Sequence, residues 1–402
     1  MGRRLRIAYF SPLPPARTGI ADYSRELLPH LARLTEVTLF VDESAEVSEA
    51  LAADFPTCPI HAYARMRWDF DIALYQMGNS SFHGAMYDVL RHYPGLTVLH
   101  DYGLHHFISD QTIAQNRFAA YVREMGYALG PAGVELACQV RDGQRQLPFF
   151  EAALNDRLLH LSLGVLVHSD YVRQRLLAQK LPCPVEIVPA PIASYPAESQ
   201  RAQLGWPADA VIFGSFGQVW REKQIEAALR AFARVREVMH QARYLIVGDW
   251  AAGAGDLPAL IAELGLADVV HCTGQIPDLA DFVSWIATAD VVVNLRAPTV
   301  GETSATALRA LVAGRPLIVY DHGWYAELPD DICLKVAPLD DEALLGAMLK
   351  LATDAELRDA MGQRARAYTT HAHSPERAAQ TYLDFIQRIL ADLSPRRTDV
   401  SS

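Results

Sequence analysis

The chain has 402 residues, half of them hydrophobic, and a formal net charge of −11 at pH 7. This length and apolar content suffice for two or three domains with buried cores, and the negative charge argues against a general nucleic-acid binder. The five cysteines are scattered and form no CxxC pair, which indicates reduced thiols in a cytosolic protein and no zinc cluster.

The beginning of the chain resembles neither a leader nor an anchor. A short basic segment after Met1 runs directly into a strand-like sequence, so we expect no signal peptide. No uninterrupted apolar run approaches the roughly 20 residues that span a bilayer. We therefore expect a cytoplasmic protein, and peripheral contact with the inner face of the membrane stays open.

Short β-branched or aromatic runs alternate with amphipathic helical stretches along most of the chain. The predicted strands cover residues 5–10, 37–41, 71–77, 96–100, 164–168, 185–188, 211–216, 243–247, 269–273, 291–295, 317–320 and 332–336. This alternation predicts parallel sheets with helices on both faces. So many strands exceed one simple doubly wound sheet. We therefore expect an α/β fold of two facing Rossmann-like domains, with a ligand cleft between them at the carboxyl ends of the strands.

Prolines mark the boundary between the two predicted domains. Three of them fall within residues 189–196, where they disfavour helix and remove ladder donors. We place one domain at 1–190, with an entirely helical insertion at about 111–160, and the other at 191–374. An amphipathic helix is predicted over 375–393, with Ser374 as its cap, and residues 394–402 are expected to be disordered.

The most informative stretch is the run 301–316, which lies between two apolar strand candidates. Small and hydroxyl residues crowd the point where strand passes into helix, and the unpaired backbone donors of a helix start favour anions. The carboxylate of Glu302 would repel a phosphate, so it is better suited to accept hydrogen bonds from neutral hydroxyls. A phosphate site beside a hydroxyl site suggests a nucleotide-activated sugar.

A second candidate motif covers residues 214–223, which follow a predicted strand and open a helix. Lys223 is a flexible cation that can reach a diphosphate, and Arg221 could assist it. The alternative is a solvated helix start with a surface pair between Glu222 and Lys223.

Three histidines fall within residues 100–106. His100 and Asp101 end a strand of the first predicted domain, where the cleft is expected. A histidine there can donate to a sugar hydroxyl or to a departing oxygen near neutral pH. The alternatives are a hydrogen-bonded core histidine and, with less support, a metal site.

Several weaker signals lie at other strand ends. The loop 11–23 is stiffened by prolines and contains Gly19, which permits close backbone approach; a rigid connector is the alternative. Asn79 and Asp249 follow two further strands, although a polar strand end is usually only a cap. Neither G-x-G-x-x-G nor a P-loop is present, so a nicotinamide dehydrogenase is poorly supported.

At these residues the chain resembles the retaining glycosyltransferases of family 4, which have the GT-B architecture of two facing Rossmann-like domains. The resemblance extends over nearly the whole chain and is strongest in the segments 11–23, 100–101, 168–169, 217–223 and 294–328. Within that family the chain looks like a branch found in bacterial polysaccharide and glycan assembly.

The resemblance implies that the second domain binds a nucleoside-diphosphate sugar. The first domain would bind the acceptor, which could be a glycan, a lipid-linked compound or a small molecule. No cofactor and no metal are implied, because protein cations and helix ends carry the diphosphate charge. From the residues and the resemblance together, the expected catalytic residues are His100, Glu302 and Lys223. The expected donor-binding residues are Gly19, Gly217, Gln218, Arg221, Asp249, Gly301, Thr303, Ser304, Ala305 and Arg309, and the expected acceptor-side residues are Asp22, Tyr23, Asn79 and Asp101.

The sequence departs from the family pattern at two places. Family members usually have two glutamates with seven residues between them. The first position falls on Gly301, one place before Glu302, and the second falls on Arg309. We expect Arg309 to pair with Glu302, to contact phosphate or to face another helix. The usual glycine-arginine pair reads Gly217-Gln218 here, so part of the diphosphate clamp is either neutral or supplied by Arg221 or Arg296.

The expected function is therefore retaining sugar transfer to an acceptor hydroxyl. Two alternatives stay open: a nucleotide-sugar epimerase of the same architecture, and a non-catalytic sugar-nucleotide binder or partner subunit. The sequence specifies neither the sugar, the base and the acceptor nor the oligomeric state.

Overall fold

The computed structural model describes residues 3–251 and 254–393, so the predicted tail at 394–402 lies outside the described residues. The chain forms two compact units. The first contains the residues up to Pro191, the short segment Val300–Thr303 and the helix that begins at Pro375. The second contains Ile192–Thr299 and Ser304–Ser374. Each unit has its own parallel sheet, which confirms the α/β class with two Rossmann-like domains; the cleft expected between them stays a prediction.

The sheet of the first unit has the strand order β3-β2-β1-β4-β5-β6-β7, and all neighbouring strands are parallel. Its strands are β1 (Arg6–Phe10), β2 (Glu36–Val41), β3 (Thr57–Pro59), β4 (Ile72–Met77), β5 (Leu96–Leu99), β6 (Gly164–Val167) and β7 (Val185–Ile187). Strands β1, β4, β5 and β6 are almost wholly buried. This burial explains their continuous apolar runs, since both faces of a parallel sheet are covered.

Helices of the first unit connect these strands. They are α1 (Gly19–Leu34), α2 (Glu49–Asp54), α3 (Tyr63–Met66), α4 (Gly84–His92), α5 (His105–Thr112), α6 (Phe118–Arg141), α7 (Asp156–Leu161) and α8 (Asp170–Ala178). The prediction that 111–160 is entirely helical is wrong. Residues 142–155 form turns, because Gly143 and Leu154 take left-handed backbone angles and Pro148 removes a backbone donor.

The sheet of the second unit has the order β10-β9-β8-β11-β12-β13, again with parallel neighbours. Its strands are β8 (Ile212–Phe216), β9 (Arg243–Val247), β10 (Val270–Gly274), β11 (Val291–Val293), β12 (Leu317–Tyr320) and β13 (Cys333–Val336). Its helices are α9 (Arg201–Leu204), α10 (Ile225–Val238), α11 (Leu257–Glu263), α12 (Leu279–Thr288), α13 (Ala305–Val312), α14 (Asp341–Thr353) and α15 (Ala355–Ala372).

The last helix, α16 (Pro375–Leu393), packs on α1 within the first unit. Its buried face includes Tyr382 and Phe385. The Phe385 ring lies against β6, because a Cβ added to Gly164 would lie 2.9 Å from Cζ of that ring. None of the described helices is both long enough and apolar enough to cross a bilayer.

Candidate functional site

Lys223 lies at the carboxyl end of β8, where the chain leaves the sheet of the second unit. A short 3-10 helix, Arg221–Lys223, turns the side chain back over the strand end, and Nζ donates to the carbonyl oxygen of Phe216 at 2.6 Å. Burial, and then the charge of Arg296, lower the pKa of Lys223 from 10.5 to about 7. An anion beside this ammonium would offset both effects and raise its pKa again.

Helix α13 begins at the same edge of the second sheet. Ser304 is its N-cap: the Ser304 hydroxyl oxygen accepts from the Ala307 N–H at 3.2 Å and from the Asn294 side-chain amide at 3.0 Å. The N–H groups of Ala305 and Thr306 precede the first intrahelical hydrogen bond. Together with the positive end of the helix dipole, they make this terminus suited to an anion.

Gly217 shows that the lysine and the helix start come together. A Cβ added to Gly217 would lie 2.9 Å from Nζ of Lys223 and 3.2 Å from Oγ1 of Thr306. Its φ of +79° is also left-handed, so glycine is required both by the turn and by the close approach. Lys223, the loop after β8 and the first turn of α13 therefore surround one small volume, in which a phosphate group would meet an ammonium and backbone donors.

The loop after β11 is fastened to the loop after β8. The Ala297 N–H donates to the carbonyl oxygen of Glu222 at 2.8 Å, and the side-chain amide of Gln224 donates to the carbonyl oxygen of Ala297 at 2.9 Å. These bonds hold the loop that contains Arg296 beside Lys223. Arg296 was predicted only as a substitute for the missing clamp arginine, and its charge acts on Lys223.

Gly301, Glu302 and Thr303 directly precede α13, yet they pack with the first unit. Gly301 has a φ of +82°, and a Cβ there would lie 2.7 Å from Cβ of Tyr102, so no larger residue fits. The Glu302 carboxylate accepts from the Val300 N–H at 2.9 Å. It thus caps its own loop, and the sugar-binding role predicted for Glu302 stays a prediction.

Gln218 and Arg221 are exposed beyond the end of β8. Arg221 lines a pocket of about 190 Å³ in the second unit. The other lining residues are Trp220, Gln224, Ile225, Glu226 and Ala254. The carboxylate of Glu226 opposes the charge of Arg221 in this pocket, so a neutral polar group suits it better than a second phosphate.

Asp249 lies in the loop after β9 and has a structural role of its own. Its carbonyl oxygen accepts from the Val219 N–H at 2.7 Å, and its carboxylate accepts from the Trp250 N–H at 3.0 Å. The neighbouring Gly248 approaches so closely that an added Cβ would lie 2.2 Å from the carbonyl oxygen of Gly217. Asp249 therefore fastens the β9 loop to the β8 loop, and its predicted contact with a donor stays a prediction.

Arg309 is 4% exposed within α13. Its guanidinium carbon lies 6.0 Å from the ring centroid of Tyr195, in the proline-rich segment after the first unit. A cation over an aromatic face contributes about 0.5–2 kcal/mol. This aromatic contact was not among the three expectations for Arg309, and its predicted role at the donor stays untested.

In the first unit, His100 follows β5, and both of its ring nitrogens have partners. Nδ1 lies 3.3 Å from Nε2 of His168, and Nε2 lies 2.8 Å from the Gln76 side-chain amide. That amide lies 3.3 Å from the hydroxyl of Tyr382, which lies 2.6 Å from the hydroxyl of Tyr23. A hydrogen-bonded chain therefore runs from β6 through His100 to the last helix.

The proton positions in this hydrogen-bonded chain can be assigned from its His168 end. Nδ1 of His168 lies 3.0 Å from the carbonyl oxygen of Val188, so it donates, and a neutral His168 accepts at Nε2 from His100. In the structure the Gln76 oxygen faces Nε2 of His100 and the Gln76 nitrogen donates to Tyr382, and in that orientation the two histidines would together need a third proton. Burial, and then the charges of His168 and His83, lower the pKa of His100 well below 6.5. The neutral pair is therefore favoured, and it requires the amide nitrogen of Gln76 to face His100.

These hydrogen bonds limit the contacts that His100 can make with a ligand. With both ring nitrogens engaged, donation to a sugar oxygen would require His100 to give up one of these partners. The geometry is that of the hydrogen-bonded core histidine that the sequence left as an alternative, and the catalytic role of His100 stays a prediction.

The four predicted acceptor-side residues lie near the starts of α1 and α5. The Asp101 carboxylate accepts from the Asn79 N–H at 2.9 Å, and the Asn79 side-chain oxygen accepts from the Phe107 N–H at 2.9 Å. Asp22 is ion-paired with Arg25 at 2.6 Å on α1. Tyr23 belongs to the chain described above. Asn79 and Asp101 thus hold loops in place, and no described contact shows an acceptor role for any of the four.

Gly19 begins α1, which is capped by Thr18. The Thr18 hydroxyl accepts from the Ile20 N–H at 3.2 Å. A Cβ added to Gly19 would meet no atom within 4 Å, so the space beside this helix start is open. A ligand could therefore approach the backbone of Gly19 closely, and the donor-binding role of Gly19 stays a prediction.

His83 is a buried histidine that the sequence analysis missed. Neither of its ring nitrogens has a partner in hydrogen-bond geometry among the described residues, and burial lowers its pKa to about 4. A Cβ added to Gly78 would lie 3.1 Å from Nε2 of His83 and 3.2 Å from the Asp101 carboxylate. Its position shortly after β4 was the only available signal.

No metal centre is evident in the described part of the chain. Over residues 3–251 and 254–393, no three or more histidine, cysteine, aspartate or glutamate side chains are grouped so as to hold a metal ion.

Comparison with known proteins adds to this geometry. Residues 209–354 match the family model described as "Glycosyl transferases group 1". The D-inositol 3-phosphate glycosyltransferase of Stackebrandtia nassauensis is 31% identical over 215 residues, which are 50% of this chain and 47% of that protein. The match thus spans about half the length of this relative.

Solved structures resemble the chain over nearly its full length. Sucrose-phosphate synthase from Thermosynechococcus elongatus has a TM-score of 0.67 at 20% identity, covering 97% of this chain and 100% of that one. The Anabaena protein HepE, solved in complex with UDP, has a TM-score of 0.67 at 14% identity, covering 96% and 100%. At such identities the likeness shows the fold alone. The comparisons therefore show a GT-B fold for the chain and a match to a glycosyltransferase family model within the second unit.

Proposed function

We propose that the protein is a retaining glycosyltransferase of family 4 that moves a sugar from a nucleoside-diphosphate sugar to an acceptor hydroxyl. The observation that carries this proposal is the meeting of Lys223, the charge of Arg296 and the start of α13 at Gly217. Breaking the bond to the anomeric carbon builds negative charge on the diphosphate oxygens. Each preorganised donor aimed at such charge contributes about 3 kcal/mol to lowering the barrier.

In the proposed reaction the second unit holds the donor and the first unit holds the acceptor. The acceptor oxygen bonds to the anomeric carbon on the face that the diphosphate leaves, and its proton passes to a diphosphate oxygen. No protein general base is then required. Glu302 would hold sugar hydroxyls, and His100 would fix the sugar from the first unit. The charge is handled by Lys223, Arg296 and backbone donors, so the proposal includes metal independence.

The comparisons favour uridine donors as the first to test. HepE was solved with UDP and also with UDP-glucose, and the family match covers the unit that contains Lys223. Gln218 is neutral where the family pattern has the clamp arginine, so in this proposal Arg296 is the second cation of the diphosphate site.

The experiment is a thermal-shift panel of UDP-, GDP- and dTDP-sugars, followed by turnover with the best ligand. We expect stabilisation by one nucleotide class, slow donor hydrolysis without acceptor, and a product whose anomeric configuration, measured by NMR, equals that of the donor. The Glu302→Gln variant should lose about 10²-fold in both hydrolysis and transfer. An inverted product would overturn the retaining assignment, and near-normal rates in this variant would overturn the role of Glu302.

A second candidate, a non-catalytic sugar-nucleotide binder, is favoured by one set of contacts. Glu302 caps its own loop, and the ring nitrogens of His100 are engaged inside the first unit. Stabilisation by donors without hydrolysis, transfer or sugar epimerisation over the same panel would favour this candidate.

A further inference from the structure

A pocket of about 280 Å³ opens on the first unit at the carboxyl ends of β1, β2 and β4. Its walls are mainly apolar and include Phe40, Phe82 and Met86, while Ser11, Asp42 and Glu46 supply polar groups. None of the four predicted acceptor-side residues lines it. Ligands of open parallel sheets bind at this edge, and the volume is near the lower end for small-molecule sites, which begin at about 300 Å³.

The charge of this pocket is one-sided. Its lining contains two carboxylates and neither lysine nor arginine. Asp42 is held ionised: the Ser44 hydroxyl and the Ser44 N–H both donate to its carboxylate and lower its pKa. An anionic ligand would therefore meet two negative groups and no cation, and like charges brought together at a binding surface cost several kcal/mol.

The aromatic wall indicates what the pocket favours. Phe82 is 54% exposed although it is large and apolar, and it stands at the pocket rather than in a core. An aromatic face covers apolar rings and the C–H faces of sugars, while carboxylates accept hydrogen bonds from neutral hydroxyls. The lining thus combines a surface for an apolar body with acceptors for hydroxyl groups.

We propose that this pocket binds the acceptor, and that the acceptor is an uncharged hydroxyl compound with an apolar body rather than a phosphorylated sugar. This inference rests on the proposed transferase function. The pocket and His100 lie at the same edge of the first sheet, because β4 lies between β1 and β5 in the sheet and His100 directly follows β5.

Hydrogen bonds inside the first unit fix the serine of the pocket lining. The Ser11 hydroxyl lies 2.7 Å from the Ser24 hydroxyl, which lies 2.8 Å from the hydroxyl of Tyr9, and Ser11 also donates to the carbonyl oxygen of Pro12 at 2.8 Å. A hydroxyl held in this way gives the pocket wall a preorganised polar group.

The experiment compares three probes: phenyl β-D-glucoside, its 6-phosphate and methyl β-D-glucoside. Binding to the full chain is measured by ligand-observed NMR, and transfer is measured with the best donor of the nucleotide panel. We expect phenyl β-D-glucoside to bind at least about tenfold more tightly than its 6-phosphate, because of the carboxylates. It should also bind more tightly than the methyl glucoside, because of Phe82.

Two variants and two matched controls isolate the pocket. Phe82→Ala should weaken the binding of phenyl β-D-glucoside about tenfold and leave acceptor-free donor hydrolysis unchanged. Phe150→Ala, at an aromatic residue of similar exposure outside the lining, should change neither the binding nor the hydrolysis. Glu46→Gln should improve binding of the 6-phosphate, and Glu49→Gln, at an exposed carboxylate outside the lining, should not.

The outcomes separate this inference from the proposed function. A preference for the 6-phosphate, or equal effects of Phe82→Ala and Phe150→Ala, overturns the pocket assignment even where transfer occurs. Tight and Phe82-dependent binding of phenyl β-D-glucoside without any donor turnover would sustain the ligand class and overturn the transferase. Transfer to phenyl β-D-glucoside that is insensitive to Phe82→Ala would place the acceptor elsewhere.

Discussion

The surroundings of Lys223 disfavour its charged form. It is partly buried at the end of β8, beside the guanidinium of Arg296, and its pKa is lowered to about 7. A structural surface lysine would have no such surroundings. Two cations brought together beside the start of a helix are instead typical of a site that gains an anion on binding.

This pKa predicts how nucleotide binding depends on pH. Below about pH 7 the ammonium is charged before the diphosphate arrives. Above it the free protein must take up a proton on binding, because the diphosphate raises the pKa of Lys223 again. The affinity for UDP should therefore fall by up to about tenfold per pH unit between about pH 7 and 9. Calorimetry in two buffers of different ionisation enthalpy measures both the affinity and the proton uptake.

Two lysine variants test the assignment. Lys223→Met should bind UDP weakly and with no pH dependence over this range, whereas Lys350→Met, at an exposed position on α14, should behave like the wild type. An unchanged slope in Lys223→Met would assign the proton uptake to another group and remove Lys223 from the diphosphate site.

Sequence reasoning located side chains at strand ends better than it identified their contacts. Lys223 and Ser304 could be placed at one sheet edge, because the carboxyl ends of parallel strands meet there. The partners of His100 could not be found, because they come from two distant segments that contain Gln76 and His168. His83 gave no signal beyond its position after β4, since a buried polar side chain is recognised only once its surroundings are known.

The first turn of α13 contributes both to the stability of the second unit and to the candidate site. A variant of its N-cap, Ser304, tests both contributions. Ser304→Ala removes the acceptor for the Ala307 N–H and leaves the Asn294 amide with one partner fewer. We expect a loss of about 1 kcal/mol in the free energy of unfolding. We also expect weaker UDP binding, because the backbone donors at the helix start lose their fixed direction. Chemical denaturation and calorimetry measure the two effects.

A second cap provides the matched control. Asp340 caps α14 in the same unit, where its carboxylate accepts from the Ala343 N–H at 2.9 Å. Asp340→Ala should cost about the same stability and leave the affinity for UDP unchanged. Equal affinity losses in both variants would mean that the Ser304 effect comes from general destabilisation and not from the site.

The strands were predicted well because the two sheets are buried on both faces. Their continuous apolar runs give a signal that depends on burial and not on register, and β9 and β12 have the predicted bounds. Strand β3 was missed because it has only three residues at the edge of its sheet, with prolines at 56 and 59. The turns at 142–155 were missed because helical periodicity continues on both sides of them.

The last helix of the polypeptide belongs to the first unit, although the second unit precedes it in sequence. Each unit has its own hydrophobic core, one within residues 8–187 and the other within 211–361. Helix α16 belongs to the first unit, where Phe385 packs on β6 at Gly164 and Tyr382 reaches Tyr23. The stability of the first unit therefore depends on the last helix of the chain, which is far from it in sequence.

A truncation of the Phe385 side chain tests this dependence. Phe385→Ala should cost about 3–5 kcal/mol, and the loss should be confined to the unit in which the ring packs. Hydrogen exchange read by mass spectrometry should show faster exchange in α1, β1 and β6 and unchanged exchange in β8 and β9. Leu393→Ala, at a position that is 55% exposed on the same helix, should alter neither set. Equal acceleration in both units would mean that they unfold as one cooperative body, and the separate cores would then not act as separate sources of stability.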